Sequence, residues 1–234
     1  MVYKSTYKTG FIDINKDKKL TNRAILKYLE DCSGKHSDTV KNGVADIIDD
    51  GITWVLLSWN LKVLKRPSYA AEIEVNTYIS SATKLYVYRD FEVFADGEKV
   101  AVARSIWILV DAKTRRPKRL DEKTVESYHP EYERKAFDFD NSKLTANEEA
   151  DKIIDYPIRK TDIDINDHVH NLNYLDMAYE IMPEKEFDNL IIEYKKEVKY
   201  GDKIAVALKT NESAYDIKVF SKDDGTVNTL IRLW

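Results

Sequence analysis

Two stretches of this chain repeat one another, and the repeat limits the folds open to it. Setting Asp13 against Asp162, an offset of 149 residues, brings Asn15 onto Asp164, Asp17 onto Asn166 and Lys19 onto His168. Asn22 then meets Asn171, and Leu26 meets Leu175. In both copies a polar run leads into an apolar pattern of helical period: Ile25, Leu26, Leu29 and Cys32, then Leu172, Leu175, Tyr179 and Met182. Thr21 or Asn22 is placed to cap the first helix, and Asn171 the second. Strand-like runs follow each helix, at 54–64, 71–80, 84–94 and 100–110, then at 190–198, 203–209, 215–220 and 226–233. Asp96-Gly97 and Asp224-Gly225 supply turn pairs between the last two runs of each set. A helix followed by antiparallel strands, twice, is an α+β arrangement. The expected domains are 1–112 and 151–234, with the charged, aperiodic 113–150 as linker.

Composition narrows the function classes. The 234 residues suffice for two domains of about 100 to 120 residues each. No run approaches the roughly 18 apolar residues of a membrane span, and the N-terminus lacks an apolar signal region. A cytoplasmic protein without a membrane partner is expected. The net charge of −4 speaks against nucleic-acid binding. A single cysteine, Cys32, excludes an internal disulfide and a cysteine metal cluster, and its apolar setting predicts a buried side chain. His168 and His170 sit at adjacent-but-one positions, but the other histidines, His36 and His129, are remote in sequence, so neither metal nor cofactor is expected.

The second copy carries the chemistry. Asp162, Asp164, Asn166 and His168 occupy every second position just before a helix start. Carboxylate, carboxamide and imidazole at such a place suit polarising a carbonyl and moving a proton. Period two aligns them on one side only if the backbone is extended. A tight turn could also bring them together, and a solvated, capped loop is the alternative. In the first copy Lys19 stands where the histidine is, and Asn15 and Asp17 do not reproduce the Asp–Asn pair. One active site per chain is therefore expected, in the second half.

The run Asp162-Ile163-Asp164-Ile165-Asn166-Asp167-His168-Val169-His170-Asn171-Leu172-Asn173-Tyr174, followed by Glu193-Tyr194-Lys195-Lys196-Glu197-Val198, resembles the acyl-acyl-carrier-protein thioesterases of plants and bacteria. The first half resembles them too, in L-T-N-R-A-I-L-K-Y-L-E-D, W-V-L-L-S-W, K-L-Y-V-Y-R-D-F-E-V and W-I-L-V-D-A-K-T-R-R-P-K-R-L. The chain departs from the family pattern at His170, where the family has Asn, and at Val198, where the plant motif has Cys. Valine is no nucleophile, so a papain-like mechanism fails there, and Glu197 becomes the better candidate.

The resemblance implies two fused hotdog subdomains, each a long helix wrapped by a curved antiparallel sheet. It implies hydrolysis of acyl-acyl carrier protein to free fatty acid, with Asp164, Asn166, His168 and Glu197 as the catalytic set. Glu197, read as partly buried, or His168 would take the proton. Backbone N–H groups of residues 169–171 would face the oxyanion. It further implies an acyl-chain pocket in the first half, where Trp54 and Trp59 are candidates, with Asn171 as a further substrate contact. Each aromatic is equally a core residue in the making. The acidic carrier protein would need a basic surface. Arg115, Arg116, Lys118 and Arg119, beside Lys113, form one, or simply a solvated turn. A hotdog thioesterase acting on acyl-coenzyme A and a non-catalytic acyl-binding module remain open, as does a monomer or a homodimer.

Overall fold

The computed structural model describes residues 1–43, 46, 51–139, 143–147 and 149–234. It divides into two compact units, Met1–Phe139 and Asp140–Trp234.

In the first unit the strands are β1 (Tyr3–Lys8), β2 (Ile52–Val63), β3 (Glu72–Ala82), β4 (Tyr86–Ala95) and β5 (Glu98–Asp111). They pair antiparallel in the order β1-β3-β4-β5-β2. Helix α1 (Asn22–Thr39) packs on β1 and β3. Its apolar stripe of Ile25, Leu26, Leu29 and Cys32 is buried, as the helical period requires. Burial pushes the Cys32 thiol up to about 11, so it packs as a small apolar group. Thr21 caps the helix, its Oγ1 accepting from the Ala24 N–H at 3.1 Å. Asp96 and Gly97 both take positive φ, 50° and 81°, which a two-residue hairpin turn of this hand needs.

In the second unit β6 (Lys152–Tyr156), β7 (Asn189–Tyr194), β8 (Ile204–Thr210), β9 (Tyr215–Ser221) and β10 (Val227–Leu233) pair antiparallel in the order β7-β10-β9-β8-β6. The helix of this unit, Asn171–Ile181, packs on β6, β8 and β10. Each unit is thus the expected α+β hotdog arrangement. Among the described residues, no helix is long and apolar enough to cross a membrane.

Three features differ from the sequence reading. Each unit has a strand ahead of its helix, β1 and β6; both are short, charged edge strands with too little apolar alternation to announce themselves. β7 ends at Tyr194, so Glu197 lies in the segment after the strand rather than within it. Part of the expected linker is packed structure. A short helix α2 (Glu122–Glu126) follows β5, and Leu120, Val125 and Tyr128 join Ile79, Val87 and Leu109 in one buried cluster. Arg134 pairs with Glu92, and the Ala136 N–H donates to Asp90 Oδ2 at 3.2 Å. Residues from 144 belong instead to the second unit, where the Leu144 N–H donates to Glu193 Oε1 at 2.9 Å. With α2 assigned, Asn171–Ile181 is α3.

Candidate active site

The polar row before α3 is a tight loop pinned at both ends. Asp162 ends a short 3-10 turn and is 1% exposed. Its carboxylate accepts from the Arg159 backbone N–H at 2.8 Å and from the Arg159 guanidinium at 2.7 Å. Its carbonyl accepts from the His170 N–H at 2.9 Å and the Asn173 side chain at 3.0 Å. Asp162 therefore ties the loop entrance to the first turn of α3.

Within the loop the chain reverses rather than running extended. The Asp164 N–H donates to the His168 carbonyl at 2.8 Å, and Asp167 takes a left-handed φ of 61°. The Asp164 carboxylate Oδ1 accepts from the backbone N–H of Asn166 at 2.8 Å and of His168 at 3.3 Å. Asp164 is thus the organiser of an Asx-type turn. Asn166 is exposed, its amide 3.4 Å from Asp164 Oδ2.

One backbone bond then brings the remote carboxylate in. The Val169 N–H donates to the Val198 carbonyl at 2.8 Å. The residues just before each, His168 and Glu197, face one another, with His168 Nε2 at 3.0 Å from Glu197 Oε2. The His168 side chain is 16% exposed and that of Glu197 38%. Glu197 is therefore more open than the partly buried carboxylate expected from sequence, and its distinguishing neighbour is the imidazole. Val198 is fully buried, so the position of the plant cysteine points into the core here.

The first copy reproduces the frame with different chemistry. Asp13 is buried and held by the Gly10 N–H at 2.8 Å, by Tyr28 at 2.8 Å and by Lys27. Burial works to raise its pKa, but these three partners outweigh it and hold the carboxyl below its usual range. Asn15 Oδ1 accepts from the N–H groups of Asp17 and Lys19, both at 3.0 Å. Lys18 takes φ 59°, and the Leu20 N–H donates to the Pro67 carbonyl at 2.9 Å. The residues flanking that last bond are Lys19 and Arg66, so two cations stand where the second copy has imidazole and carboxylate. Lys19 Nζ goes to Ser68 Oγ at 3.0 Å, and Arg66 to the Leu20 carbonyl at 3.1 Å.

Other expectations fare differently. The cap of α3 is His170, whose Nδ1 accepts from the Leu172 N–H at 3.3 Å; Asn171 is the first helical residue. Of the backbone N–H groups expected to face an oxyanion, those of Val169 and His170 are committed to Val198 and Asp162. The Asn171 carbonyl accepts from Tyr194 Oη at 3.1 Å, a tether between β7 and α3 that the sequence did not suggest. Tyr174, the last residue of the motif run, is buried with its ring edge-on to that of Tyr194 at 5.7 Å, and burial raises its phenol well above the usual range. Trp59 is fully buried with its ring 5.4 Å from Phe91, the surroundings of a core residue, while Trp54 packs half-buried on the cluster around Tyr128. Arg115, Arg116, Lys118 and Arg119 are exposed in a turn built by Asp111, whose Oδ1 accepts from the Lys113 and Thr114 N–H groups at 3.1 and 2.8 Å. Among the described residues no three His, Cys, Asp or Glu side chains are grouped as metal ligands.

Comparison with known proteins agrees along the chain. Residues 1–128 match the family description "Acyl-ACP thioesterase N-terminal domain", and residues 145–232 match "Acyl-ACP thioesterase C-terminal domain". The oleoyl-acyl carrier protein thioesterase 2 of Arabidopsis thaliana is 26% identical over 247 residues, covering 94% of this chain and 66% of its own length. The palmitoyl-acyl carrier protein thioesterase of the same plant is 24% identical over 217 residues, covering 84% and 52%. This chain thus spans about half to two thirds of those relatives. The crystal structure of an acyl-ACP thioesterase from Bacteroides thetaiotaomicron superposes with a TM-score of 0.87 at 21% identity, over 99% of this chain and 96% of that one.

Proposed function

The chain belongs to the acyl-ACP thioesterase family, and from that premise we propose that it hydrolyses the thioester of acyl-acyl carrier protein, releasing free fatty acid, with His168 and Glu197 as the water-activating pair. The observation that carries this mechanism is the 3.0 Å contact between His168 Nε2 and Glu197 Oε2. A water beside this pair loses its proton to it and attacks the thioester carbon. The tetrahedral intermediate collapses with rupture of the C–S bond, and the thiolate of the carrier's phosphopantetheine leaves with a proton. No cysteine nucleophile takes part, since the side chain at 198 is an inward valine. Asp164 acts by holding the loop that carries His168, and Asn166 orients the water or the carbonyl through its exposed amide. The Asn171 N–H, at the positive end of α3, is the remaining backbone donor for the oxyanion. The exposed basic turn from Lys113 to Arg119 is the proposed contact for the acidic carrier protein.

The test is fatty acid release from acyl-carrier proteins and from the matching acyl-coenzyme A esters, for wild type, His168→Ala and Glu197→Ala. The expected result is turnover of the carrier-protein esters, with kcat lowered about 100- to 10,000-fold in each variant while melting is unchanged. Preference for coenzyme A esters would move the substrate class. Binding without turnover in the wild type would make the protein an acyl-binding module.

A further inference from the structure

Among the described residues, the Phe11–Ile12 tip of the first unit is the most exposed apolar feature. Phe11 is 83% and Ile12 87% exposed, side by side at the apex of the 3-10 turn before Asp13. The fold does not require apolar residues there. The second copy builds the same turn, with the same carboxylate-to-backbone bond, and carries Lys160 and Thr161 at the corresponding positions. The tip is also presented rigidly. Asp13 anchors it from below, and bonds from the Thr9 N–H to the Ala71 carbonyl (3.1 Å) and from the Tyr69 N–H to the Lys18 carbonyl (3.0 Å) weld its base to the neighbouring 64–71 loop. Tyr69 on that loop is itself 54% exposed. Lys8, Lys16, Lys18 and Lys19 flank the tip and are all exposed, against the exposed acids Asp17 and Glu72, the latter opposite Lys8 across the β1–β3 ladder.

We propose that this tip seats the protein on an anionic lipid surface, Phe11 and Ile12 entering the headgroup–acyl boundary while the lysines meet lipid phosphates. An aromatic–aliphatic pair ringed by lysines and a tyrosine has the chemistry of an interfacial anchor. Two side chains offer far less than the roughly 800 Å² per partner of a stable protein interface, which favours a bilayer over a protein as the occupant. The ordering entropy is already met by the pinned turn. An expectation of no membrane partner rested on the absence of a long apolar run, and a two-residue tip carries no such signal.

The experiment is co-sedimentation of the full chain with vesicles of phosphatidylcholine alone and of three parts phosphatidylcholine to one part phosphatidylglycerol, at low and raised salt. The variant is Phe11→Lys/Ile12→Thr, which installs the residues that the second copy tolerates in this turn. It adds positive charge, so any loss of binding reports the apolar contact alone. The wild type should bind the anionic vesicles at least about tenfold better than the neutral ones, with salt weakening the difference. The variant should bind them about tenfold less, with melting unchanged. Wild type left in the supernatant, or a variant that sediments equally, overturns the proposal. So does tip-dependent capture by an acyl carrier protein without vesicle binding, which would make the tip a protein dock.

Discussion

Asp164 Oδ1 holds two backbone N–H groups, and in the first copy Asn15 Oδ1 holds the corresponding two. A carboxamide oxygen therefore suffices to shape this loop. Asp164→Asn should keep the loop and retain activity within about threefold, given that a neutral acceptor still makes a bond worth about 1 kcal/mol. Asp164→Ala should lose the turn, and with it His168 placement, lowering kcat at least about tenfold. Equal collapse of both variants would instead make Asp164 a proton carrier. The sequence carried the identities of this row but not its geometry. Alternation suggested an extended strand, whereas the left-handed Asp167 turns the chain back on itself; aspartate is among the residues enriched in that conformation, but the run holds three aspartates and the enrichment does not single one out. The approach of Glu197 was expected only through the family resemblance, because it depends on one backbone bond between Val169 and Val198, and backbone bonds leave no side-chain trace.

The loop and its helix form the element that was duplicated, and the copies differ in how the helix is capped. Thr21 caps α1 with a hydroxyl, whereas α3 is capped by a ring nitrogen at the longer distance of 3.3 Å. Histidine is not among the favoured N-cap residues, and the family pattern has asparagine at position 170. His170→Asn should thus stabilise the chain by about 0.5 kcal/mol, read as a small rise in denaturation midpoint. A fall would mean that the imidazole has work beyond capping. Both helices were legible from their buried stripes, and the eight other strands from their apolar runs. The edge strands β1 and β6 were not. The first reads Y-K-S-T-Y-K and pairs with β3 while Tyr3 and Tyr7 stack on His36 and Tyr28 of α1; the second reads K-I-I-D-Y and pairs with β8; neither offers the run of aliphatic residues that marks the other strands.

At the scale of the molecule, the segment after β5 is where charge misled the sequence reading. Its abundant Lys, Arg, Asp and Glu suggested a linker, yet Tyr128 is 2% exposed, bonds Ser37 through its hydroxyl at 3.0 Å and lies with its ring 5.3 Å from the Arg89 guanidinium. Tyr128→Ala should lower stability by about 3 kcal/mol or more, roughly 10 °C in melting temperature; a linker residue would show no change. Beside Tyr128 sits His36, fully buried, its Nδ1 2.9 Å from Arg89. Burial first, then the adjacent guanidinium, push its pKa down to about 3, so the ring is neutral in the fold. Once unfolded, it titrates near its ordinary value of about 6.5. Between these values the unfolded chain binds a proton that the folded chain does not. Stability is then unaffected by His36 above about pH 6.5 and declines as pH falls towards 3, by at most about 1.4 kcal/mol per pH unit. Carboxylates contribute mainly below about pH 4.5, and across the interval from about 6.5 to 5 a comparison with a His36 variant subtracts whatever the other three histidines contribute. His36→Gln keeps an acceptor for Arg89 but has no proton to bind. Urea unfolding across this interval should show a wild-type midpoint that drops with acidity and a variant midpoint that drops less; parallel profiles would mean that His36 is protonated in the fold.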